Sequence, residues 1–329
     1  MFRRSMLVSI LSLILLGGCA GNSPESESTT STGTAEKGSR GTIGFSALDL
    51  KNPFFKIIAD TLTEAAEAEG FEVIVTDAES DVNNQSKQVD NFITQEVTAI
   101  VLNPANRESI GTAIKRANEA GIPVFTCDLQ CAAEGAKVTA HIGTDNYSGG
   151  RLAGKAMIEA LGEAGGNVLV LHFKQANSCV ERVEGFNDEI NEYNANRESG
   201  KINVVSELEG GATQDVSFKA TQDGIQQHPN LSGIFAINDP SALGAYTALS
   251  QAKKTDQIII VGFDGQLEGK QAIKEGKIYA DPIQFPKKMA TGTVANIVKY
   301  LDGEDFNAVE LIPTELYRKA DAMKDPELQ

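Results

Sequence analysis

Short runs of β-branched and aromatic residues alternate along the chain with longer stretches whose apolar positions recur at helical spacing, beginning near Gly41. Thr42–Ser46 reads as a strand. Pro53–Glu69 reads as a helix, with Ile58, Leu62, Ala65 and Ala66 on one face. Asn52-Pro53 opens that helix, because an Asn side chain caps free amides and Pro tolerates the first helical position. Gly70 closes it. The unit then repeats: strand Phe71–Thr76 and helix Asn84–Gln95, then strand Ala99–Asn103 and helix Glu108–Ala120 with Ile110, Ile114 and Ala117 inward. Gly121-Ile122-Pro123 turns the chain into strand Val124–Cys127. Such a succession predicts a parallel sheet with helices on both faces.

After an expected strand at Lys137–Ile142 the rhythm restarts. Helices at Ser148–Leu161, Val180–Tyr193, Thr213–Gln227 and Ser241–Ala252 interleave with strands at Asn167–His172, Ile202–Glu207, Gly233–Ile237 and Ile258–Phe263. A short helix from Leu267, a strand at Lys277–Ala280 and a helix at Lys287–Leu301 follow. Two similar halves predict an α/β protein of two doubly wound parallel-sheet lobes, whose ligands sit beyond the carboxyl ends of the strands or between the lobes.

The N-terminal region departs from this pattern. Arg3 and Arg4 precede the apolar run Met6–Leu16 and then Gly17-Gly18, which describes a signal peptide over residues 1–18. The run is shorter than the ~20 residues of a membrane-spanning helix. Leu16-Gly17-Gly18-Cys19 resembles the lipobox of bacterial lipoproteins, which implies a lipid on Cys19; the alternative is an ordinary signal with an incidental cysteine. Residues 19–40, rich in Ser, Thr, Gly and Glu, cannot bury enough apolar surface to offset ordering, so they read as a flexible tether on a lipid anchor. The 289 residues from Gly41 suffice for two cores.

The chain carries a formal charge of −16, and loss of Arg3 and Arg4 makes the remainder more acidic still. Nucleic acid is therefore not an expected partner, since phosphate binding needs a basic footprint. Beyond Cys19 the cysteines are Cys127, Cys131 and Cys179. Cys127 and Cys131 are close enough to bridge a small loop in an oxidising compartment, or stand as two reduced thiols at a strand end.

Residues just after the strands are polar or aromatic: Asn52 with Phe54 and Phe55, Asp128, Asn238, Asp264 and Gln284, joined by Arg182 at a helix start. Carboxylates accept sugar hydroxyls, a guanidinium donates in a planar fork, and aromatic rings cover apolar ring carbons, so the set suits a neutral sugar or polyol. Each residue also has a bland reading. Asn52 is a helix cap, Asp264-Gly265 a turn, Asn238 another helix start, one of the two phenylalanines a core residue, and Arg182 a surface partner of Glu181 or Glu184. Their joint occurrence after strands of both halves favours a site.

Leu50-Lys51-Asn52-Pro53-Phe54-Phe55, Thr126-Cys127-Asp128, Glu181-Arg182-Val183-Glu184-Gly185-Phe186, Ile237-Asn238-Asp239 and Val261-Gly262-Phe263-Asp264-Gly265, in that order, resemble the ribose-type periplasmic binding proteins, the receptors of ABC sugar importers. The resemblance implies that Asn52, Asp128, Arg182, Asn238, Asp264 and Gln284 hydrogen-bond the ligand. It implies that Phe54 and Phe55 sandwich its ring, with a second-lobe aromatic helping. It further implies a hinge of three segments, near Thr144-Asp145, near Gln284 and around Leu311–Leu316. The N-lobe then comprises 41–144 plus about 285–314, and the C-lobe 145–284 plus about 315–329. Two departures argue against ribose itself: Leu129 stands where the family has arginine after the aspartate, and Ala212 aligns with a phenylalanine.

The expected function is that of a monomeric extracytoplasmic receptor, held to a membrane through its anchor alone, that closes on a monosaccharide or polyol and delivers it to an ABC permease. A sugar-sensing subunit signalling to a chemoreceptor or histidine kinase is the alternative. A glycoside-cleaving enzyme using Asp128 and Asp264 is less supported, since nothing argues for a split in their acidities. No Gly-x-Ser-x-Gly elbow, phosphate loop or His-Glu-x-x-His pattern occurs, and His141, His172 and His228 are scattered. No catalytic residue, metal or cofactor is expected.

Overall fold

The computed structural model describes residues 39–329. The expected signal peptide, Cys19 and all of the expected tether except Ser39 and Arg40 lie outside them. Arg40 is docked: its amide donates to the Gly70 carbonyl at 2.9 Å and its guanidinium pairs with Asp302.

The first sheet is built from β1 (Gly41–Ala47), β2 (Phe71–Asp77), β3 (Ala99–Leu102), β4 (Val124–Cys127), β5 (Ala140–Thr144) and the late strand β11 (Val309–Ile312). Its order is β2-β1-β3-β4-β5-β11, and every pair is parallel, with Ile43 opposite Val73 and Ala99. Helices α1 (Pro53–Ala68) and α9 (Pro286–Asp302) cover one face, and α2 (Val82–Thr94) and α3 (Gly111–Glu119) the other. Burial on both faces makes the strands continuously apolar. Ile43, Phe45, Val101 and Phe125 join one core, while Ile100, Leu102 and Val124 pack with Phe92, Ile110 and Ile114 in another. Gly44 is required by that second core, because a Cβ there would stand 2.6 Å from the Phe92 ring.

The second sheet repeats the plan with β6 (Gly166–His172), β7 (Ile202–Glu209), β8 (Leu231–Ala236), β9 (Ile259–Val261), β10 (Ala280–Ile283) and β12 (Glu315–Arg318). Its order is β7-β6-β8-β9-β10-β12, and only the β10–β12 pair is antiparallel. Helices α4 (Asn146–Leu161) and α5 (Asn177–Ala195) line one face. The other carries α6 (Gln214–Gln227), α7 (Asp239–Gln251) and α8 (Leu267–Glu275), on which the short α10 (Lys319–Ala322) rests. The chain passes between the sheets three times: after Thr144, between β10 and α9, and at Pro313-Thr314 between β11 and β12.

Several boundaries differ from the sequence pattern. The strand expected at Lys137–Ile142 runs over Ala140–Thr144, and the one expected at Lys277–Ala280 runs over Ala280–Ile283. The latter includes Asp281 and Pro282, poor strand formers by propensity. Asp281 is fully buried there, and the strand is held by pairing with β12, where Asp281 stands opposite Tyr317. Strands β11 and β12 were not expected. Val309 and Leu311 are exposed, so β11 shows none of the buried alternation that betrays a strand and exists by pairing with β5.

The bridge between Cys127 and Cys131 is not formed: both are free, as is Cys179. Cys127 is buried with Phe125 beneath α1 and α9, whereas Cys131 packs against the core under α2 and α3. The two thiols therefore belong to opposite faces of the sheet. Burial pushes the Cys127 thiol up to about 12.

Candidate functional site

The carboxyl ends of both sheets face a cavity of about 410 Å³, within the range of small-molecule sites. Asn52, Phe54, Phe55, Asp128, Arg182, Asn238, Asp264 and Gln284 all line it. The first lobe supplies Asn52 and the two rings from the start of α1, and Asp128 from the loop after β4. The second supplies Asn238 after β8, Asp264 after β9, Gln284 after β10 and Arg182 from α5.

Each side chain is held by local structure. Asn52 caps α1, accepting from the Phe54 amide at 3.0 Å, and Pro53 fills the first helical position. Asn238 caps α7 in the same way, accepting from Ser241 at 3.0 Å and donating to the Ala212 carbonyl at 3.0 Å. Capping leaves the amide nitrogens with donors to spare, since each carries two hydrogens. A buried network braces the first-lobe loops: Gln85 donates to Ser46 and to the Asn103 carbonyl, and Asn103 donates to the Cys127 carbonyl next to Asp128.

The two aspartates share an unusual backbone. Asp128 has φ +64° and Asp264 φ +99°, both in the region that L-residues avoid. Such positions cost about 1–3 kcal/mol each and persist only where surroundings over-determine them. Here the amide of Asp128 is held by the Ile142 carbonyl at 2.8 Å and that of Asp264 by the Pro282 carbonyl at 3.1 Å. In each lobe, then, a site aspartate turns sharply off a strand end while its backbone stays tied to the neighbouring strand.

Arg182 organises the second lobe. It is 4% exposed. Its Nη1 donates to Asp264 Oδ1 at 2.9 Å and to the Ile237 carbonyl at 2.7 Å, and its Nε donates to Asn146 at 2.8 Å. The guanidinium lies 3.9 Å from the centre of the Phe263 ring, a cation–π contact in a desolvated place. Neither Glu181 nor Glu184 is its partner; the surface pairing is replaced by a buried one. Gln284 donates to Asp264 and accepts from Thr144 at 2.6 Å, so the carboxylate is tied to the passage between the sheets.

Asp128 is different. It is buried, and its Oδ1 lacks a hydrogen-bond partner among the described residues. Burial pushes its carboxyl up to about 7 against the lowering pull of Arg182, with Asp264 adding to the rise. A buried acceptor without a donor costs about 1–3 kcal/mol, which a hydroxyl entering the cavity would relieve. Asp264 is also raised by burial, but Arg182 and Gln284 offset part of that rise.

The aromatic arrangement departs from expectation. Phe54 and Phe55 are both buried, and their centroids lie 5.6 Å apart at 90°. They touch each other edge to face, so no sugar ring fits between them, and the expected sandwich is corrected to a single apolar wall. Phe173, directly after β6, lines the cavity from the second lobe with Ala176, Ala212 and Leu243, and Leu129 lines it from the first. Inspection of the residue following every strand would have found Phe173. Nothing in the pattern points to Cys179, which lines the cavity, or to Asn146 and Gln266, which bond Arg182 and Asn52 through tertiary packing.

The lobes touch at more than one place. Gln266 Nε2 donates to Asn52 Oδ1 at 3.4 Å. Arg107 of the first lobe donates through its Nη1 to Asn177 at 2.9 Å and through its amide to the Gln175 carbonyl at 3.2 Å. Among the described residues, no cluster of three or more His, Cys, Asp or Glu side chains could hold a metal ion, and no helix is long and apolar enough to cross a membrane.

Comparison with known proteins places this geometry. The family model described as a periplasmic binding protein domain matches residues 43–305. The D-apiose import binding protein of Paraburkholderia graminis is 34% identical over 90% of this chain and 92% of its own. The ribose import binding protein RbsB of Escherichia coli is 30% identical over 85% of this chain and 91% of its own. Among solved structures, an ABC transporter solute binding protein from Mycobacterium smegmatis with bound glycerol superposes with a TM-score of 0.78 at 28% identity, over 86% of this chain and 96% of that one. One from Bacillus halodurans with bound myo-inositol gives 0.78 at 27% identity, over 88% and 98%.

Proposed function

The chain belongs to the ribose-type periplasmic sugar-binding proteins, and on that footing we propose that it captures a monosaccharide or polyol between its lobes and presents the closed form to an ABC permease. The observation that carries the reading is the composition of one cavity: acids, amides, a guanidinium and aromatic walls drawn from the strand ends of both sheets. A ligand touching both lobes binds the closed arrangement better than the open one, and only such differential affinity drives closure. The three passages between the sheets serve as the hinge. Asn52, Asp128, Arg182, Asn238, Asp264 and Gln284 supply the hydrogen bonds, with Phe54, Phe55 and Phe173 as apolar walls.

The names of the import receptors, and the glycerol and myo-inositol bound in similar structures, support a small hydroxylated ligand. Leu129 places no donor beside Asp128, and Ala212 adds no ring to the wall, so the preferred ligand differs from ribose. The protein binds rather than converts this ligand: Asp264 is committed to Arg182 and Gln284, which suits holding a hydroxyl rather than moving a proton. The site acts outside the cytoplasm, and the lipobox-like Leu16-Gly17-Gly18-Cys19 supports a lipid on Cys19. Cys19→Ser should then abolish incorporation of labelled fatty acid.

Thermal unfolding with D-ribose, D-apiose, D-allose, myo-inositol and glycerol tests the reading. At about a hundredfold excess over Kd, a true ligand stabilises by about 2.7 kcal/mol and raises the midpoint by roughly 5–10 °C. A flat response across pentoses, hexoses and polyols would refute it.

A further inference from the structure

Behind the cleft, in the second lobe, two more carboxyl groups meet. Asp239 opens α7 directly after Asn238, and Asp281 lies in β10, three residues before Gln284. They are 2% and 0% exposed. Their carboxyl groups lie within hydrogen-bonding reach of each other. An ionised carboxylate only accepts, so a bond between them forms only when one of the two carries a proton.

The surroundings offer no substitute. Among the described residues, no donor satisfies Asp239 Oδ1 or either Asp281 oxygen. The Gly262 amide lowers Asp281 but is directed at the Ala280 carbonyl, at 3.1 Å. Asp239 Oδ2 accepts from the Gln266 amide at 2.7 Å. Two glycines press on the pair: a Cβ at Gly262 would stand 2.5 Å from Asp281 Oδ1, and one at Gly269 would stand 1.9 Å from Asp239 Oδ1. Backbone thus closes in on the carboxyls from β9 and from α8, where a bulkier residue would displace them.

We propose that Asp239 and Asp281 share one proton at neutral pH, and that this proton positions the second-lobe half of the ligand site. Through it the turn after β8, the loop after β9 and the end of β10 are held in one register, and these carry Asn238, Asp264 and Gln284. The positioning role rests on the binding function proposed above, whereas the shared proton does not.

Like charges in contact in a dry interior repel strongly, so the pair cannot ionise twice without moving apart. Burial raises Asp239 well above the usual carboxylate range, and the charge of Asp281 raises it further; burial pushes Asp281 up to about 7. Charged or titratable groups on the elements packed around the pair are Asp264, with Arg182 behind it, Tyr246 on α7, Glu268, Lys270, Lys274 and Glu275 on α8, Glu315, Tyr317 and Arg318 on β12, Tyr147, Arg151, Lys155 and Glu159 on α4, and Asp215, Lys219 and Asp223 on α6. Of these, Asp264 acts on both members, and its charge also favours the protonated form. With the folded-state affinity for the proton raised, the proton is held at neutral pH and lost on alkalinisation.

The test uses the ligand-free full chain. Infrared difference spectra of wild type against D239N and D281N should each show the loss of one protonated-carboxyl C=O band at neutral pH. In wild type, that band should disappear on raising the pH, and the side-chain amide NMR signals of Asn238 and Gln284 should shift with the same midpoint. In D239N or D281N an amide hydrogen replaces the shared proton, so those signals should stay near their neutral positions across the range. Absence of the acid band at neutral pH overturns the shared proton. Disappearance of the band without movement of the Asn238 and Gln284 signals overturns the positioning role. Calorimetry with D-ribose, D-apiose and myo-inositol is read separately: failure of all three to bind counts against the binding function while leaving the proton assignment intact.

Discussion

Truncation of Asp264 to alanine probes the centre of the proposed site. Asp264 Oδ1 is the carboxylate oxygen bonded to Arg182, and it also accepts from Gln284. Without it, Arg182 keeps Asn146, the Ile237 carbonyl and the Phe263 face, but its charge remains buried with no counterion in bonding contact. Removing one member of a buried pair costs about 3–5 kcal/mol, most of it the penalty on the charge left behind. Two effects offset the loss. Repulsion of Asp239 and Asp281 by Asp264 disappears. In Asp264→Gly, the strain at φ +99° is relieved as well, worth about 1–3 kcal/mol. Urea unfolding should therefore rank the chains wild type, Asp264→Gly, Asp264→Ala in falling stability, with a shift in midpoint at an unchanged denaturant slope. Adding Arg182→Met to Asp264→Ala should recover stability rather than lose more, because the orphaned charge goes with it. If Asp264→Ala cost less than about 1 kcal/mol and its effect simply added to that of Arg182→Met, the buried pair would not be the organising contact described here.

Other outcomes follow from the same geometry. Arg107→Ala removes the side-chain bond to Asn177 across the cleft; at a partly exposed site this is worth about 1 kcal/mol. Small-angle scattering should then show a more open ligand-free average, and apparent sugar affinity should fall about fivefold with the cavity unaltered. Asp128, pushed up to about 7 by burial, holds a proton that the unfolded chain loses near its ordinary value. Folding stability should therefore fall as pH rises from about 4 to about 7. Asp128→Asn should lack that component, and proton uptake measured alongside unfolding would check it. Gly269→Ala should destabilise by well over the small change usual for an exposed helix, since its methyl would collide with the Asp239 carboxyl. An unaltered melting midpoint would contradict the tight packing around that pair.

The two-lobed α/β plan was legible because its causes are local. Apolar runs such as Ala99–Leu102 are buried on both faces, helices such as Pro53–Ala68 show a spaced apolar face, and Asn52-Pro53 and Asn238-Asp239-Pro240 announce helix starts. The rule that ligands meet strand ends then selected eight residues scattered over 233 positions, Asn52 to Gln284, and the fold gathers all of them around one cavity. Less legible were strands that exist only through a partner. Val309–Ile312 is an exposed edge, and Ala280–Ile283 runs through Asp281-Pro282.

Tertiary structure alone decided how the charges are used. Arg182 has acidic neighbours at Glu181 and Glu184, yet it pairs with Asp264, because both side chains are buried together away from water while the neighbouring glutamates are not brought against it. The separation of Cys127 from Cys131, the edge-to-face contact of Phe54 with Phe55, and the meeting of Asp239 with Asp281 are of the same kind. Propensity and periodicity act over a few residues and so reside in the sequence as it is read. Burial, pairing of charges and proton sharing depend on which distant segments the packed sheets bring within a few ångströms of each other.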